Sequence, residues 1–318
     1  MPAASPETAP PSVSVVIPTY NCEAYISETL GSVLAQTFRD LEILVVDDGS
    51  RDRTREIVAA YGPPVRLLTQ ENARVCAARN RGLSEARGRF VCFMDHDDYW
   101  FPDKLARQVA ALEAHPEAGV VFANFLLWHP DAQGVYPVPA SFDLDAYPEG
   151  IEPDFSGWIY HQFLLDCWML TSTAMFRAEV LQRCGAFDVA LPYSEDWDLW
   201  LRLSREYPFI KLSRPNTLYR QHPLQGNRVV RPVDYRTELL SQAVARWGLC
   251  SPDGRCQDAA AFRRQLARYH TEFAMGHALA GNPGTARRSL LKAWRAQPLN
   301  PKPLAYLVAL AFGWRPDW

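Results

Sequence analysis

Three aspartates crowd one short stretch of this 318-residue chain: Asp95, Asp97 and Asp98, with His96 between the first two and an apolar run, Val91-Cys92-Phe93, just before them. Carboxylates spaced by one residue can converge on one point, and Mg²⁺ typically takes one or two carboxylates together with substrate phosphates. A helix cap near Pro102 would account for one of Asp97, Asp98 or Asp103, but not for three like charges side by side. The cluster is read as a metal site. Asp47-Asp48-Gly49-Ser50 leaves two readings open. Ser50 or Asp52 can cap a helix while Gly49 makes a tight turn, or a carboxylate can accept hydrogen bonds from a nucleobase N–H or a ribose hydroxyl. Tyr20, after Pro18-Thr19, can stack on a base or simply pack.

Glu195-Asp196 opens a helical stretch in which Asp196 shares a face with Leu199, Trp200 and Leu203,. Glu195 aligns instead with Asp198 and Arg202, a more solvated face. A carboxylate on an apolar stripe is partly desolvated, which raises its pKa toward the range of a general base. A favourable charge at a helix N-terminus explains the same pair without catalysis. His222, in Tyr219-Arg220-Gln221-His222, follows an expected strand, and Arg79-Asn80 lie in a polar turn of a helix. Alone, neither specifies a role.

The elements that must position these residues alternate between two periods. Val13–Ile17, Leu41–Val46, Val65–Leu68, Arg89–Met94 and Val120–Ala123 read as strands. Helices are expected from Tyr25 to Phe38, Thr54 to Tyr61, Val75 to Ala86 and Lys104 to Ala114. Continuous apolar strands separated by such helices predict a doubly wound, mostly parallel α/β sheet. In open α/β sheets the ligand sits beyond the carboxyl ends of the strands. The clusters after Ile17, Val46 and Met94 must then share one edge, giving a crevice lined by carboxylates. From about Leu126 to Cys167 a Pro- and aromatic-rich stretch breaks the pattern, as binding loops do. Structure is expected to resume at Thr173–Leu181, then a helix Glu195–Arg205 and a mixed strand and loop Phe209–Leu218. After about Gly226 the sequence becomes Arg- and Ala-rich and helical, so a domain boundary is placed between about 225 and 235.

Composition removes several classes. Thirty-three Lys and Arg against 36 Asp and Glu give a net charge of −3, which does not suit a nucleic-acid-binding surface. Seven scattered cysteines contain no CxxC, and the nearest pair, Cys250 and Cys256, has no adjacent His; the expectation is reduced cysteines in a cytoplasmic protein. The first dozen residues are rich in Pro, Ala and Ser and read as a disordered tail, not a signal peptide,. The apolar run Leu304–Phe312 is about half of the ~20 residues a spanning helix needs, so the protein is expected to be soluble or at most peripheral at the inner face of the membrane.

With these positions assembled, residues 13 to about 225 of an expected domain 13–228 resemble an inverting glycosyltransferase of family 2, with the nucleotide-diphospho-sugar transferase GT-A fold. The matching pieces are Val13-Ser14-Val15-Val16-Ile17-Pro18-Thr19-Tyr20-Asn21, Val45-Val46-Asp47-Asp48-Gly49-Ser50, Ala78-Arg79-Asn80-Arg81-Gly82, Phe93-Met94-Asp95-His96-Asp97-Asp98 and Glu195-Asp196-Trp197. The resemblance implies that Tyr20 and Asp48 hold the nucleobase with Pro18, Thr19 and Asp47 beside them, and that Arg79 lies near the nucleotide. It implies that Asp95-His96-Asp97 is the DxD motif, Asp97 binding Mn²⁺ or Mg²⁺ and Asp95 near the ribose or metal. Asp196 becomes the catalytic base supported by Glu195, and His222 approaches the diphosphate or metal. Two departures stand out: His96 replaces a small residue, and Ala73-Arg74 stands where a glycine-containing turn is usual after Asn72.

The implied reaction is one direct displacement from a nucleotide sugar, UDP-sugar favoured, onto a saccharide, lipid-linked or protein acceptor. A sugar nucleotidyltransferase would want a glycine-rich basic loop after the first strand, and residues 18–25 contain no Gly, Lys or Arg. A non-catalytic nucleotide-binding scaffold would not need both Asp97 and Asp196. The segment 229–318 forms a separate helical extension in which Phe273–Asn282, Ala286, Leu290, Ala293 and Pro298 resemble one tetratricopeptide-like hairpin. One such hairpin cannot bury its own face, so it is expected to pack on the catalytic domain or a partner, with a homodimer among the options. The end from Leu304 to Trp318, including Trp314, offers peripheral membrane contact as its second use.

Overall fold

A computed structural model describes residues 10–223, 225 and 229–312. The expected tail up to residue 9, and Trp314 and Trp318, lie outside the described residues. The chain begins β1 (Val13–Thr19), α1 (Ile26–Leu34), β2 (Leu41–Asp47), α2 (Thr54–Ala59), β3 (Val65–Thr69) and α3 (Arg74–Glu85). It continues with β4 (Phe90–Phe93), β5 (Tyr99–Trp100), α4 (Lys104–Ala114), β6 (Val120–Trp128), α5 (Tyr160–Phe163) and β7 (Met175–Arg177). Then come α6 (Ala178–Cys184), α7 (Glu195–Glu206), β8 (Phe209–Arg220), α8 (Tyr235–Trp247), α9 (Ala259–Leu279), α10 (Pro283–Ala296) and α11 (Lys302–Ala311).

Eight strands form one sheet in the order β3-β2-β1-β4-β7-β6-β8-β5. The β3-β2-β1-β4 half and the β6-β8 pair are parallel, while β7 and β5 pair antiparallel with their neighbours. Strands β1 and β4 are buried at every residue, as a parallel sheet covered on both faces requires. The core is the β-branched and aromatic content of these strands with Ile26, Leu30 and Val33 of α1 and Leu105, Val109 and Leu112 of α4.

The helix expected to run to Phe38 ends at Leu34, and two strand boundaries differ as well. The strand expected to stop at Ala123 passes an irregularity between Ala123 and Phe125 and runs to Trp128. The segment 209–218 is not mixed with loop: β8 is continuous to Arg220, because β6 follows it through both of its halves. Beyond β6 the Pro- and aromatic-rich stretch lays Tyr136, Phe142 and Leu144 against buried Trp128 and Phe101.

The chain divides into two compact units. One holds the described residues up to Ile159 together with Trp168–His222, the other Tyr160–Cys167 and the described residues from Pro223 onward. In the second unit α9 and α10 pack through Ala274, Met275, Ala278, Ala286 and Leu290, with Leu310 of α11 completing the cluster. The expectation of reduced cysteines is corrected here: Cys250 and Cys256 form a disulfide. The turn Ser251-Pro252-Asp253-Gly254-Arg255 folds back on itself, Ser251 N–H donating to the Arg255 carbonyl at 2.8 Å, and this brings the two thiols together. Cys22, Cys76 and Cys92 are buried, and Cys167 and Cys184 are half-buried. Among the described residues no helix is long and apolar enough to cross a membrane.

Candidate active site

The ends of β1, β2 and β4 meet at one edge, as parallel pairing of adjacent strands dictates. Asp48 N–H donates to the Thr19 carbonyl at 2.9 Å, Asn21 N–H to Ser50 Oγ at 3.0 Å, and Tyr20 N–H to His96 Nδ1 at 3.4 Å. Pro18 and Thr19 are buried, whereas the Tyr20 ring is exposed at the rim, free of the core packing that competes with base stacking. Asp47 is wholly buried and is held by Arg55, whose Nη2 lies 2.7 Å from Oδ2. Its charge is therefore satisfied within the fold. Asp48 accepts from Gln70 Nε2 at 2.7 Å and from the N–H groups of Ala73 and Arg74 at 2.9 Å each. It thus secures the turn entering α3, in which Arg74 sits at φ 72°, a left-handed backbone that glycine adopts without cost. The N-cap of α2 is Arg53, not the expected Ser50 or Asp52; Asp52 instead accepts from Thr54 N–H at 3.0 Å as the chain turns into the helix.

The aspartate cluster is positioned by a strand pairing far away in sequence. Tyr99 and Trp100 of β5 pair antiparallel with Leu218 and Thr217 of β8. Continued past Tyr99, that register brings Asp98 against Tyr219 and Asp97 against Arg220. Arg220 accordingly donates from Nε to the Asp97 carbonyl at 2.6 Å and from its backbone N–H to Asp98 Oδ1 at 3.3 Å. Its guanidinium is buried among Tyr25, Trp128 and Tyr136, with Cζ 4.6, 4.0 and 4.5 Å from the three ring centroids, and pairs with Glu28 at 2.5 Å. Such a caged cation is held rigidly by ring quadrupoles and one carboxylate.

The three aspartates are not equivalent. Asp97 Oδ2 lies 2.8 Å from His222 Nε2. Burial works against its charge, but the hydrogen bond from His222 and the neighbouring imidazoles hold its pKa below the usual range. Asp98 is pushed well above that range by burial and by the charges of Asp97 and Asp95; Ser172 Oγ donates to it at 2.5 Å while accepting from Asp95 N–H at 3.0 Å. Tyr219 is raised by burial and by the same three carboxylates. Among the described residues no set of three or more His, Cys, Asp and Glu is gathered as a metal cage. The donor set that is present, one ionised carboxylate beside an imidazole, fits a Mn²⁺ or Mg²⁺ ion whose remaining ligands come from a diphosphate and water.

The acidic pair at the start of α7 reaches this cluster through Arg79. The Arg79 side chain is buried, donates from Nη2 to Asp95 Oδ1 at 2.8 Å and from Nη1 to Glu195 Oε1 at 2.9 Å, and lies over the Phe187 ring at 4.9 Å. Glu195 is thereby turned inward, not toward the solvated face that its helical alignment suggested. That face is taken by Asp198 and Arg202, paired at 2.8 Å. Asp196 stands on the stripe of buried Leu199, Trp200 and Leu203. It keeps an opening to solvent, yet burial and then the Glu195 charge push its carboxyl up to about 7, against the opposing pull of Arg79. A carboxyl in that range can accept a proton near neutrality. Neighbouring Asn80 exchanges two hydrogen bonds with the Phe187 backbone, at 2.8 and 3.0 Å, fixing the loop that carries the ring.

The structure thus brings together Tyr20, His96, Asp95, Asp97, His222, Arg79, Glu195 and Asp196, and gives Asp47 and Asp48 partners inside the fold. Four residues here were not singled out from sequence: Arg220, Ser172, Tyr219 and Glu28. Arg220 had a signal, since it follows the expected strand two positions before His222, a spacing that returns to the same side of an extended chain. Ser172 had none.

Comparison with known proteins follows the same outline. The Glycosyl transferase family 2 profile matches residues 14–126. An uncharacterized glycosyltransferase of Rickettsia prowazekii is 30% identical over 203 residues, covering 61% of this chain and 59% of that protein, so the match spans less than two thirds of the relative's length. WfgD of Escherichia coli, a UDP-Glc:alpha-D-GlcNAc-diphosphoundecaprenol beta-1,3-glucosyltransferase, is 30% identical over 197 residues, 61% of this chain and 70% of that one. The crystal structure of S. aureus TarS 1-349 in complex with UDP-GlcNAc superimposes with a TM-score of 0.62 at 21% identity, over 94% of this chain and 84% of that one.

Proposed function

Because the chain belongs to glycosyl transferase family 2 and has the GT-A fold with a C-terminal helical extension, we propose that it is an inverting, metal-dependent enzyme transferring a sugar from a UDP-sugar to a hydroxyl of a lipid-linked saccharide. The observation that carries this reading is Asp196: a carboxyl near 7, joined through Glu195 and Arg79 to Asp95 of the DxD loop. The donor and acceptor classes are taken from the E. coli relative's substrates.

The residues then divide the work. Tyr20 stacks on the base, and Asp48, ordered by three donors, presents the lone pair left on Oδ2 to a base N–H or ribose. Asp97, with His222, would hold Mn²⁺ or Mg²⁺; the ion, when bound, neutralises charge on the departing diphosphate. Asp95 faces the ribose side while tied to Arg79. Asp196 takes the proton of the acceptor hydroxyl as that oxygen forms its bond to the anomeric carbon. The bond from that carbon to the diphosphate oxygen breaks on the opposite face, so the configuration inverts.

The test is transfer by the full chain from UDP-glucose and other nucleotide sugars to a diphospholipid-linked monosaccharide, with Mn²⁺ or with chelator, the product's anomeric configuration being read by NMR. A β-linked product formed only with metal is expected. Retained configuration, or no transfer from any nucleotide sugar, would falsify the reading.

A further inference from the structure

We propose that the outward face of α10 and α11 docks on the surface of a bilayer containing anionic phospholipid. The first observation is charge. The chain as a whole is acidic, yet from Phe273 to Phe312 it contains no Asp or Glu and five basic residues: Arg287, Arg288, Lys292, Arg295 and Lys302. The exposed residues of α10 include Arg287, Arg288, Leu291, Lys292 and Arg295, spaced so that they share one side of the helix. The second observation is apolar exposure. Leu304, Val308 and Phe312 recur at four-residue spacing along the solvent side of α11, Val308 58% and Phe312 87% exposed, and Leu299 in the connection before it is 97% exposed.

The two stripes meet. Arg287, on the basic side of α10, donates to the Leu310 carbonyl of α11 at 3.1 Å, two residues from Phe312. Basic side chains beside an apolar row that is exposed among the described residues suit a headgroup boundary, where apolar side chains enter the acyl edge and cations meet phosphate. A soluble protein partner could match the apolar row, but forty residues without one acidic side chain favour a surface that is itself negative. This inference is independent of which sugar is transferred and does not require the catalytic reading.

The experiment is co-sedimentation of the full chain with vesicles of phosphatidylcholine alone or with about one third phosphatidylglycerol. Each Lys or Arg at an anionic surface strengthens attachment roughly fivefold, so binding to the mixed vesicles is expected to be at least ~10-fold tighter and to fall as salt is raised. The triple variant Arg288→Glu, Lys292→Glu, Arg295→Glu should lose that difference, and Val308→Asp with Phe312→Asp should weaken attachment even at low salt. Both sets are exposed, so unfolding curves should match the parent, and transfer to a soluble acceptor analogue should persist. Equal attachment to both vesicle types would overturn the proposal. So would attachment to neither, or a solution dimer abolished by Phe312→Asp with no vesicle binding.

Discussion

Arg79 and Glu195, 116 positions apart in the chain, are joined at 2.9 Å inside the protein. The guanidinium that makes this contact also binds Asp95, so the start of α7 and the end of β4 are locked by one cation. Removing one member of such a buried network leaves the others charged and unpaired.

The base is the first test. Asp196→Asn should lower turnover by about 10²–10⁴-fold while leaving UDP binding nearly intact by calorimetry. With the carboxylate as the proposed base, kcat/KM in the parent should rise as pH passes upward through about 7. The sign for stability is opposite: a carboxyl raised in the folded state favours the native protein while protonated, and that advantage is lost as pH rises from the unfolded value through about 7. Asp196→Asn should therefore be more stable than the parent at pH 8, and an unchanged melting curve there would count against the raised pKa.

Two substitutions should move that kinetic limb in opposite directions. Arg79 holds the Asp196 carboxyl down and Glu195 pushes it up. Glu195→Gln should shift the rise in kcat/KM to lower pH, and Arg79→Gln to higher pH. The second also costs about 1–3 kcal/mol of stability, because half-buried Glu195 and the more exposed Asp95 lose their partner,. Parallel shifts in both variants would show that neither residue acts on Asp196 through its charge.

On the metal side, Asp97→Ala should weaken Mn²⁺-dependent nucleotide binding by at least ~10-fold, with affinity in chelator unchanged. Calorimetry with and without chelator separates the two terms. Equal losses in both conditions would move Asp97 from the cation to the nucleotide itself.

Arg74 provides a test on stability alone. At φ 72° a residue with a Cβ is strained by roughly 1–2 kcal/mol, part of which glycine returns as freedom in the unfolded chain. Arg74→Gly should stabilise the protein by about 0.5–1 kcal/mol, a rise of roughly 2–3 °C in melting temperature. A drop would mean that the Arg74 side chain contributes contacts worth more than its backbone strain.

Much of this was legible in the sequence where the chain is locally self-consistent. Strands β1, β2 and β4 are apolar runs, broken only by Ser14 and Glu42 near their starts, that end in polar clusters, and parallel order alone places those clusters on one edge. Asp196 could be read from its stripe because Leu199, Trp200 and Leu203 follow at helical spacing. What escaped depends on non-local pairing. A two-residue strand such as Tyr99–Trp100 has no periodicity to detect, yet its register against β8 sets Asp97. Glu195 defied its helical alignment because a buried guanidinium from α3 outweighs solvation. Cys250 and Cys256 lack the spacing of metal ligands, and the turn between them is the signal that pairs them.

The pairing of β5 with β8 has a wider meaning. Arg220 clamps the carbonyl of Asp97 and His222 engages its carboxylate, and both leave the end of the same strand. A slip of β8 by one position would put Gln221 where the caged cation belongs and turn the imidazole outward in the same movement. The half of the site proposed to hold the cation is therefore inherited whole or lost whole, and natural variants of this chain should change residues 220 and 222 in concert.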